Sequence, residues 1–269
     1  MKLGISTFLY SWSIGIPFFI PEKPMNAFSF IKAATDNGVS LVQIADNLPL
    51  HKLSFSEREK LLDYANELDV EIELGTRGLL PDNLHQYLEI AQQFQSPILR
   101  IVTDTQGFEP TIKEIKEIII KFLPDLEAAN ILLAIENHGR FKSYELVDII
   151  KSVDSPYVGI CLDTVNSFEV LEGPETVVKN LGPYTVNLHV KDFKIERIKS
   201  NMGFNLIGTP AGEGMLNIPW VLKKLKKYNG NINTILEMWM PPDDTIEKTI
   251  KKEQQWVKKS VRNLQKYFS

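Results

Sequence analysis

LLAIENHGR (132–140), VGICLDTVN (158–166) and TVNLHVKD (185–192) are three short apolar runs in succession, each closing on a side chain able to hold a metal. Glu136 ends the first run, Asp163 ends the second, and His189 stands near the end of the third. The segments between them carry helical spacing, so the stretch from Leu132 to Asp192 predicts three consecutive strand-and-helix units. A further acid, Glu237 in NTILEMWM (233–240), closes the last apolar run before the C-terminal helix. Two Glu, one Asp and one His form an oxygen-rich donor set with one nitrogen. That set suits one divalent ion such as Mn²⁺, Mg²⁺ or Co²⁺, with Zn²⁺ also within its chemistry. Taken singly, an acid or histidine at a strand end is ordinarily an ion pair or a cap. Taken together, acids clustered at one mouth repel unless a cation neutralises them.

The same pattern extends over the rest of the chain. Strands are predicted at KLGIST (2–7), SLVQIA (40–45), VEIELG (70–75) and ILRIVT (98–103), and then at 131–136, 158–163, 185–190 and 233–238. Helical patterns separate them. One runs from Pro24 to Asn37 and stops at Gly38, and another reaches Leu68 from a capping box of Ser56 with Glu59. Pro81 and Pro110 each open a helix at its first turn, and Ser143, Pro174 and Pro219 head three more. The last helix, Asp243 to Phe268, places Ile246, Ile250, Trp256, Val261 and Leu264 among many lysines, with Asp243, Asp244, Glu247 and Glu253 interspersed. It reads as a solvated outer face with one docked stripe.

The strands are continuous apolar runs, which implies burial on both faces and a parallel sheet with helices outside. Eight strands alternating with eight helices predict an α/β fold, a single (β/α)₈ barrel forming one domain over residues 1–269. An open doubly wound sheet is the alternative, but no glycine-rich phosphate loop follows the first strand. In a barrel of this kind the functional face is the C-terminal end of the strands, where all four candidate ligands fall.

With 269 residues, 43% hydrophobic and 24% charged, the composition is that of an ordinary globular protein. A net charge of −4 offers no broad electrostatic reason to bind nucleic acid. The lone Cys161 excludes an intramolecular disulfide and reads as a small buried hydrophobe. No charged leader and apolar core precede the first strand, and no apolar run reaches the length of a membrane span. A cytoplasmic protein with no membrane partner is therefore expected.

Two loops on the functional face are informative. FLYSWSIGIPFFIPEK (8–23) carries Phe8, Tyr10, Trp12, Phe18 and Phe19, which either wall a pocket or cover the barrel mouth. The segment from Lys191 to Asn217, containing GTPAGEGMLN, is long and glycine-rich enough for a lid or a folded substrate loop. Strand alternation sends Lys191 the same way as His189, toward the cavity, where it would stabilise developing negative charge. The competing reading pairs it with Asp192 or another acid at the rim. His138 has the same parity relation to Glu136 and is a candidate substrate contact. Aromatic loops and outer helices also make a homo-oligomer compatible with the sequence.

IENHG, CLDTVN, NLHVKD, AGEGMLNIPW and ILEMW, in this order, resemble the runs of the xylose isomerase-like TIM-barrel family. That family includes sugar isomerases and epimerases, inosose dehydratases and the endonuclease IV branch, and the resemblance covers essentially the whole chain. It implies one divalent metal held by Glu136, Asp163, His189 and Glu237, and a small carbohydrate substrate. In the ketose epimerase members the two ligand glutamates also exchange protons with the carbon beside the carbonyl. Carried over, Glu136 and Glu237 would act as base and acid from opposite faces, through an enediolate.

Some positions depart from the epimerase pattern. Epimerases typically carry His three residues after the Asp ligand, where this chain has Asn166, able to hydrogen-bond a sugar oxygen but not to transfer a proton at neutral pH. The sixth residue after His189 is Ile195, with Arg197 later, so the epimerase-type arginine is not clearly matched. The endonuclease branch needs several more histidines than His51, His85, His138 and His189. The leading expectation is thus a divalent-metal-dependent isomerase or epimerase of a small sugar or sugar derivative. The alternative is a metal-dependent lyase of the same family, a 3-oxo sugar acid decarboxylase or an inosose-type dehydratase. DTVNS, LEGPE and TVNLHVKDF resemble the decarboxylase branch more closely. A non-enzymatic carbohydrate-binding barrel is a third class, opposed by the intact ligand set.

Overall fold

The computed structural model describes residues 1–230 and 232–268. Eight parallel strands close into a barrel, namely β1 (Leu3–Ser6), β2 (Leu41–Ile44), β3 (Glu71–Arg77), β4 (Ile98–Val102), β5 (Leu132–Glu136), β6 (Val158–Asp163), β7 (Thr185–Val190) and, at the end, β10 (Asn233–Leu236). Chain order is kept around the ring, and β10 closes it between β7 and β1. All eight predicted strands are present. Apolar positions on their outer faces, such as Val42, Leu74, Leu99, Ile101 and Leu188, are fully buried under the helices, each side chain contributing roughly 1.5–3 kcal/mol by leaving water.

The helices are α1 (Ser11–Ile14), α2 (Ala27–Asp36), α3 (Phe55–Glu67), α4 (Pro81–Gln93), α5 (Ile112–Ala129), α6 (Ser143–Val153), α7 (Pro174–Leu181), α8 (Ile218–Asn229) and α9 (Ile246–Gln265). Several predicted starts move: α2 begins at Ala27, capped by Asn26, rather than at Pro24, and α9 at Ile246, capped by Thr245, rather than at Asp243. α3 is capped by Ser54 with Glu57, because Ser54 keeps an extended backbone while Ser56 is already helical. α5 is capped by Thr111 with Glu114, which leaves Pro110 outside the helix. Among the described residues no helix is long and apolar enough to cross a membrane.

The segment after β7 is not an open loop. β8 (Asp192–Arg197) and β9 (Phe204–Thr209) form an antiparallel hairpin. The glycine-rich turn that follows is tied to Asp192, whose carboxylate accepts from the backbone N–H groups of Phe193, Gly212, Gly214 and Leu216. Gly214 is required there, since a Cβ would stand 2.1 Å from Asp192 Oδ1.

The register of β6 and β7 contains one irregularity. Ile160 pairs with Thr185 but Cys161 pairs with Asn187, so Val186 is an extra residue, and Asp163 comes level with His189. A Cβ on Gly159 would lie 2.5 Å from Val186 Cγ1.

Candidate functional site

The barrel interior is polar along one side and at its top. Asp163, at the end of β6, His189 in β7 and Glu237, just after β10, are essentially inaccessible to solvent, and a donor atom from each lies within 4.8 Å of the others. His189 Nδ1 and Glu237 Oε1 are buried without a hydrogen-bond partner, and Asp163 Oδ2 and Glu237 Oε2 meet only the Lys191 ammonium. Asp163 Oδ1, in contrast, accepts from the N–H groups of Val165 and Asn166 at 2.8 Å, which fixes the carboxylate with Oδ2 turned toward its neighbours.

A layer of amides below determines the state of His189. Gln43 Nε2 lies 3.2 Å from Glu73 Oε2 and 3.3 Å from Asn187 Oδ1, both acceptors, so Gln43 turns its Oε1 to His189 Nε2 at 2.8 Å. Nε2 therefore carries the ring proton and Nδ1 presents a lone pair, 3.5 Å from Glu136 Oε2 and from Glu237 Oε1. Glu73 is itself buried and also accepts from Asn187 and Asn233. Burial pushes its carboxyl up, against those amide donors. A histidine lone pair beside the unpartnered Glu237 Oε1, with Asp163 Oδ2 and Glu237 Oε2 meeting only Lys191, is a donor set that fits a divalent cation.

The acids also meet fixed cations. Lys191 Nζ lies 2.8 Å from Asp163 Oδ2 and 3.0 Å from Glu237 Oε2, and it donates to Asn166 Oδ1 at 3.2 Å. Burial would lower the Lys191 pKa, but Asp163, Glu237 and Glu136 outweigh it and hold the ammonium charged. The rim pairing of Lys191 with Asp192 does not form, because Asp192 is occupied by the turn after β9. Burial likewise opposes ionisation of Glu237, yet the charges of Lys191 and Arg100 hold it well below the usual carboxylate range.

Glu136 is differently placed. Its Oε2 is ion-paired with Arg100 Nε and its Oε1 accepts from Asn166 Nδ2 at 2.7 Å. Burial works to raise its pKa, and the Arg100 guanidinium, then Lys191, reverse that. Arg100 is 1% exposed and also donates to Asp46 Oδ1 at 3.1 Å. Asp46 binds Arg77 Nε through its other oxygen at 3.2 Å, and Arg77 Nη2 reaches His138 Nε2 at 3.4 Å. A guanidinium can only donate, so His138 accepts at Nε2 and carries its proton on Nδ1. Burial, with Arg77, Lys191 and Arg100 nearby, lowers the His138 pKa despite Glu136.

These groups surround a cavity of about 280 Å³ whose lining includes Phe8, Trp12 and Trp239 as well as Arg77, His138 and Lys191. Phe8 and Trp12 thus wall the pocket, while Tyr10 is buried against Phe30 and Phe18 points to solvent. Trp12 is held at both ends. Its indole N–H donates to Met240 O at 2.9 Å, and its backbone N–H donates to Glu253 Oε1 at 2.7 Å. Glu253 also receives the N–H and hydroxyl of Ser13, so this acid belongs to the buried stripe of α9 rather than to its solvated face. The hairpin backs Trp239, with Gly208 lying against the Trp239 carbonyl.

Every predicted site residue, Glu136, His138, Asp163, Asn166, His189, Lys191 and Glu237, lies at this one mouth or on its immediate contacts. Cys161 is fully buried beside Ile98 and Ala134, its thiol pushed up by burial. Gln43, Asp46 and Glu73 are site members that the sequence does not single out, whereas Arg77 and Arg100 stand among four arginines able to serve an anion with nothing in the sequence to place them together. The signal was present in three of them, since Gln43, Glu73 and Arg100 interrupt apolar strands, and a buried charge calls for a partner.

A model of the xylose isomerase-like TIM barrel matches residues 31–260. The chain belongs to that family. A 3-oxo-isoapionate decarboxylase from Pectobacterium atrosepticum is 32% identical over 98% of this chain and 95% of its own length. Among solved structures, a D-psicose 3-epimerase in the presence of D-fructose aligns with a TM-score of 0.73 at 15% identity, covering 98% of this chain and 97% of its own. A xylose isomerase-like TIM barrel protein from Mycobacterium smegmatis, in complex with magnesium, aligns with a TM-score of 0.69 at 14% identity, covering 97% of both chains. The family's members are enzymes, among them epimerases and a decarboxylase, and these structural similarities establish the shared fold.

Proposed function

We propose that this chain is a metal-dependent lyase that decarboxylates a 3-oxo sugar acid. The observation that carries the reading is the saturation of Glu136. A proton-abstracting glutamate needs a free oxygen and a pKa near the working pH, whereas Glu136 has one oxygen on Arg100, the other on Asn166, and a lowered pKa. Decarboxylation needs no such base. The C–C bond to the carboxylate breaks, carbon dioxide leaves, and the electron pair passes to the neighbouring carbonyl oxygen. The resulting enolate then takes a proton on carbon.

Lys191 fits that demand. Its ammonium is kept charged by Asp163 and Glu237, and it lines the cavity, where its positive charge would stabilise the developing oxyanion. Asn166 holds Lys191 on one side and Glu136 on the other, which fixes both. Phe8, Trp12 and Trp239 exclude water from the carbanionic stage. Asp163, His189 and Glu237, with Glu136 beside them, would hold one divalent ion, Mn²⁺, Mg²⁺ or Co²⁺ or else Zn²⁺, supplying Lewis-acid stabilisation of negative charge on oxygen. The extent of the resemblance to the decarboxylase supports the same reading.

The isomerase or epimerase reading is favoured by one feature, the presence of both Glu136 and Glu237 in the cavity lining. The deciding experiment incubates the Mn²⁺-supplemented protein with a panel of 3-oxo sugar acids and ketoses in deuterated water, read by mass spectrometry. A product lighter by carbon dioxide supports the lyase. Deuterium exchanged into a recovered ketose, with no gas released from any acid, would replace it by the epimerase.

A further inference from the structure

Arg77, Arg100, Arg140 and Arg197 are each able to serve an anion, and the fold brings the first two together. Arg140 is committed to Asp104, and Arg197 lies on the hairpin. Arg77 and Arg100 share Asp46 and both line the cavity, and among the described residues Arg77 Nη1 and Arg100 Nη2 form no hydrogen bond. Arg77 ends β3, and in the ring order β3 stands opposite β7, the strand that leads into Lys191. The cavity therefore has a guanidinium pole facing an ammonium pole across its mouth.

Charge counting makes the pole useful. Four carboxylates (Asp46, Glu136, Asp163 and Glu237) meet three fixed cations (Arg77, Arg100 and Lys191), while Glu253, the remaining acid of the lining, is taken up by Trp12 and Ser13. A divalent ion would turn that single net negative charge into a single positive one, which a monoanionic substrate balances. We infer that Arg77, with His138 beside it and Arg100 behind, is the subsite for the carboxylate of an acidic sugar substrate. The inference rests on the lyase reading for the substrate class, and it assigns to Arg77 the discrimination of a sugar acid from a neutral sugar. A guanidinium with one face on Asp46 is pre-oriented and presents a donor edge to a planar carboxylate. The carboxylate would then sit on the β3 side while the neighbouring carbonyl oxygen faces Lys191.

The test uses D-gluconate and D-glucitol, an acid and its neutral counterpart of equal length, titrated calorimetrically into Mn²⁺-loaded protein. The wild type is expected to prefer gluconate by about tenfold or more, a difference of roughly 1.4 kcal/mol. In Arg77→Gln that preference should vanish while glucitol and Mn²⁺ affinities stay within about twofold of wild type. Arg77→Lys, which keeps the charge but not the planar edge, should retain part of it, and it serves as the second variant if Arg77→Gln does not fold. Equal binding of the two probes by wild type, binding of neither, or an unchanged gluconate preference in both variants would overturn the assignment. Gluconate discrimination lost with Arg77, in a protein that releases no carbon dioxide from any 3-oxo acid, would keep the subsite and discard the lyase.

Discussion

Glu136 and Glu237 occupy equivalent places, each at the end of a barrel strand and each almost wholly buried, yet they live in opposite electrostatic situations. On the β4–β5 side every Glu136 oxygen has a donor, and Arg100 bridges it to Asp46. On the β7–β10 side Glu237 Oε2 is ion-paired with Lys191 at 3.0 Å, while Oε1 faces His189 Nδ1 at 3.5 Å with no hydrogen bond. The difference separates a glutamate that anchors the wall from one that remains available to a ligand. Residue type and position at a strand end do not decide this; the neighbour across the strand does.

The sharpest way to break that comparison is to make the two acids neutral amides. Glu237→Gln is expected to cost turnover at least roughly 10³-fold, by removing charge from the centre of the site, while shifting the urea midpoint little. Glu136→Gln should do the reverse in emphasis, losing stability because Arg100 is left with a weaker partner. Equal stability losses in the two variants would show the contrast to be wrong.

Arg100→Met attacks the anchored side directly. It leaves Asp46 and Glu136 without their shared cation, and loss of one partner from a buried pair costs about 3–5 kcal/mol. Urea denaturation at neutral pH measures it, and a change under about 1 kcal/mol would place Arg100 outside the structural frame.

Glu253 extends the comparison to pH. It too has donors on both oxygens, from Trp12 and Ser13, but no cation, and burial pushes its carboxyl up to about 7 from 4.5. A raised folded-state pKa contributes stability that is complete below the unfolded value and lost as pH climbs through the folded one. Between pH 4.5 and 7 this amounts to about 3 kcal/mol, taking roughly 1.4 kcal/mol per pH unit. In Glu253→Gln, unfolding free energies at pH 5 and pH 8 should converge relative to wild type. An unchanged difference would mean the carboxyl titrates normally.

The smallest effect is expected at Asp192, whose four backbone N–H partners hold the turn after β9. Asp192→Ala should cost about 2 kcal/mol, because some of those donors can return to water. It should also speed hydrogen exchange across residues 204–216, measured by mass spectrometry. Unaltered protection there would reassign the turn's order to the hairpin itself.

The strands and their C-terminal ends were legible because burial on both faces writes long apolar runs, and the ligands stand where the runs stop. The pairing of Arg100 with Glu136 was not, since it depends on the register of adjacent strands and not on spacing along either one. Ser54 and Ser56 both begin an S-x-x-E pattern, and only backbone conformation chooses between them. The hairpin hid inside a segment read for its glycines, although DFKIER and FNLIGT each have strand length. Spacing along the last helix groups Glu253 with the solvated acids, because its partners, Trp12 and Ser13, lie at the far end of the chain.

Val186, the supernumerary residue of β7, works like a leap day in the barrel's calendar. Successive side chains on a strand face opposite ways, so an uninterrupted count from Thr185 would set Leu188, not His189, beside Asp163. Absorbing one position resets the phase and turns imidazole and carboxylate inward together. The room for that correction comes from Gly159, whose hydrogen stands where any larger group would press on Val186. A single methyl there, remote from all chemistry, would meet Val186 Cγ1 at 2.5 Å and oblige the bulge to give way.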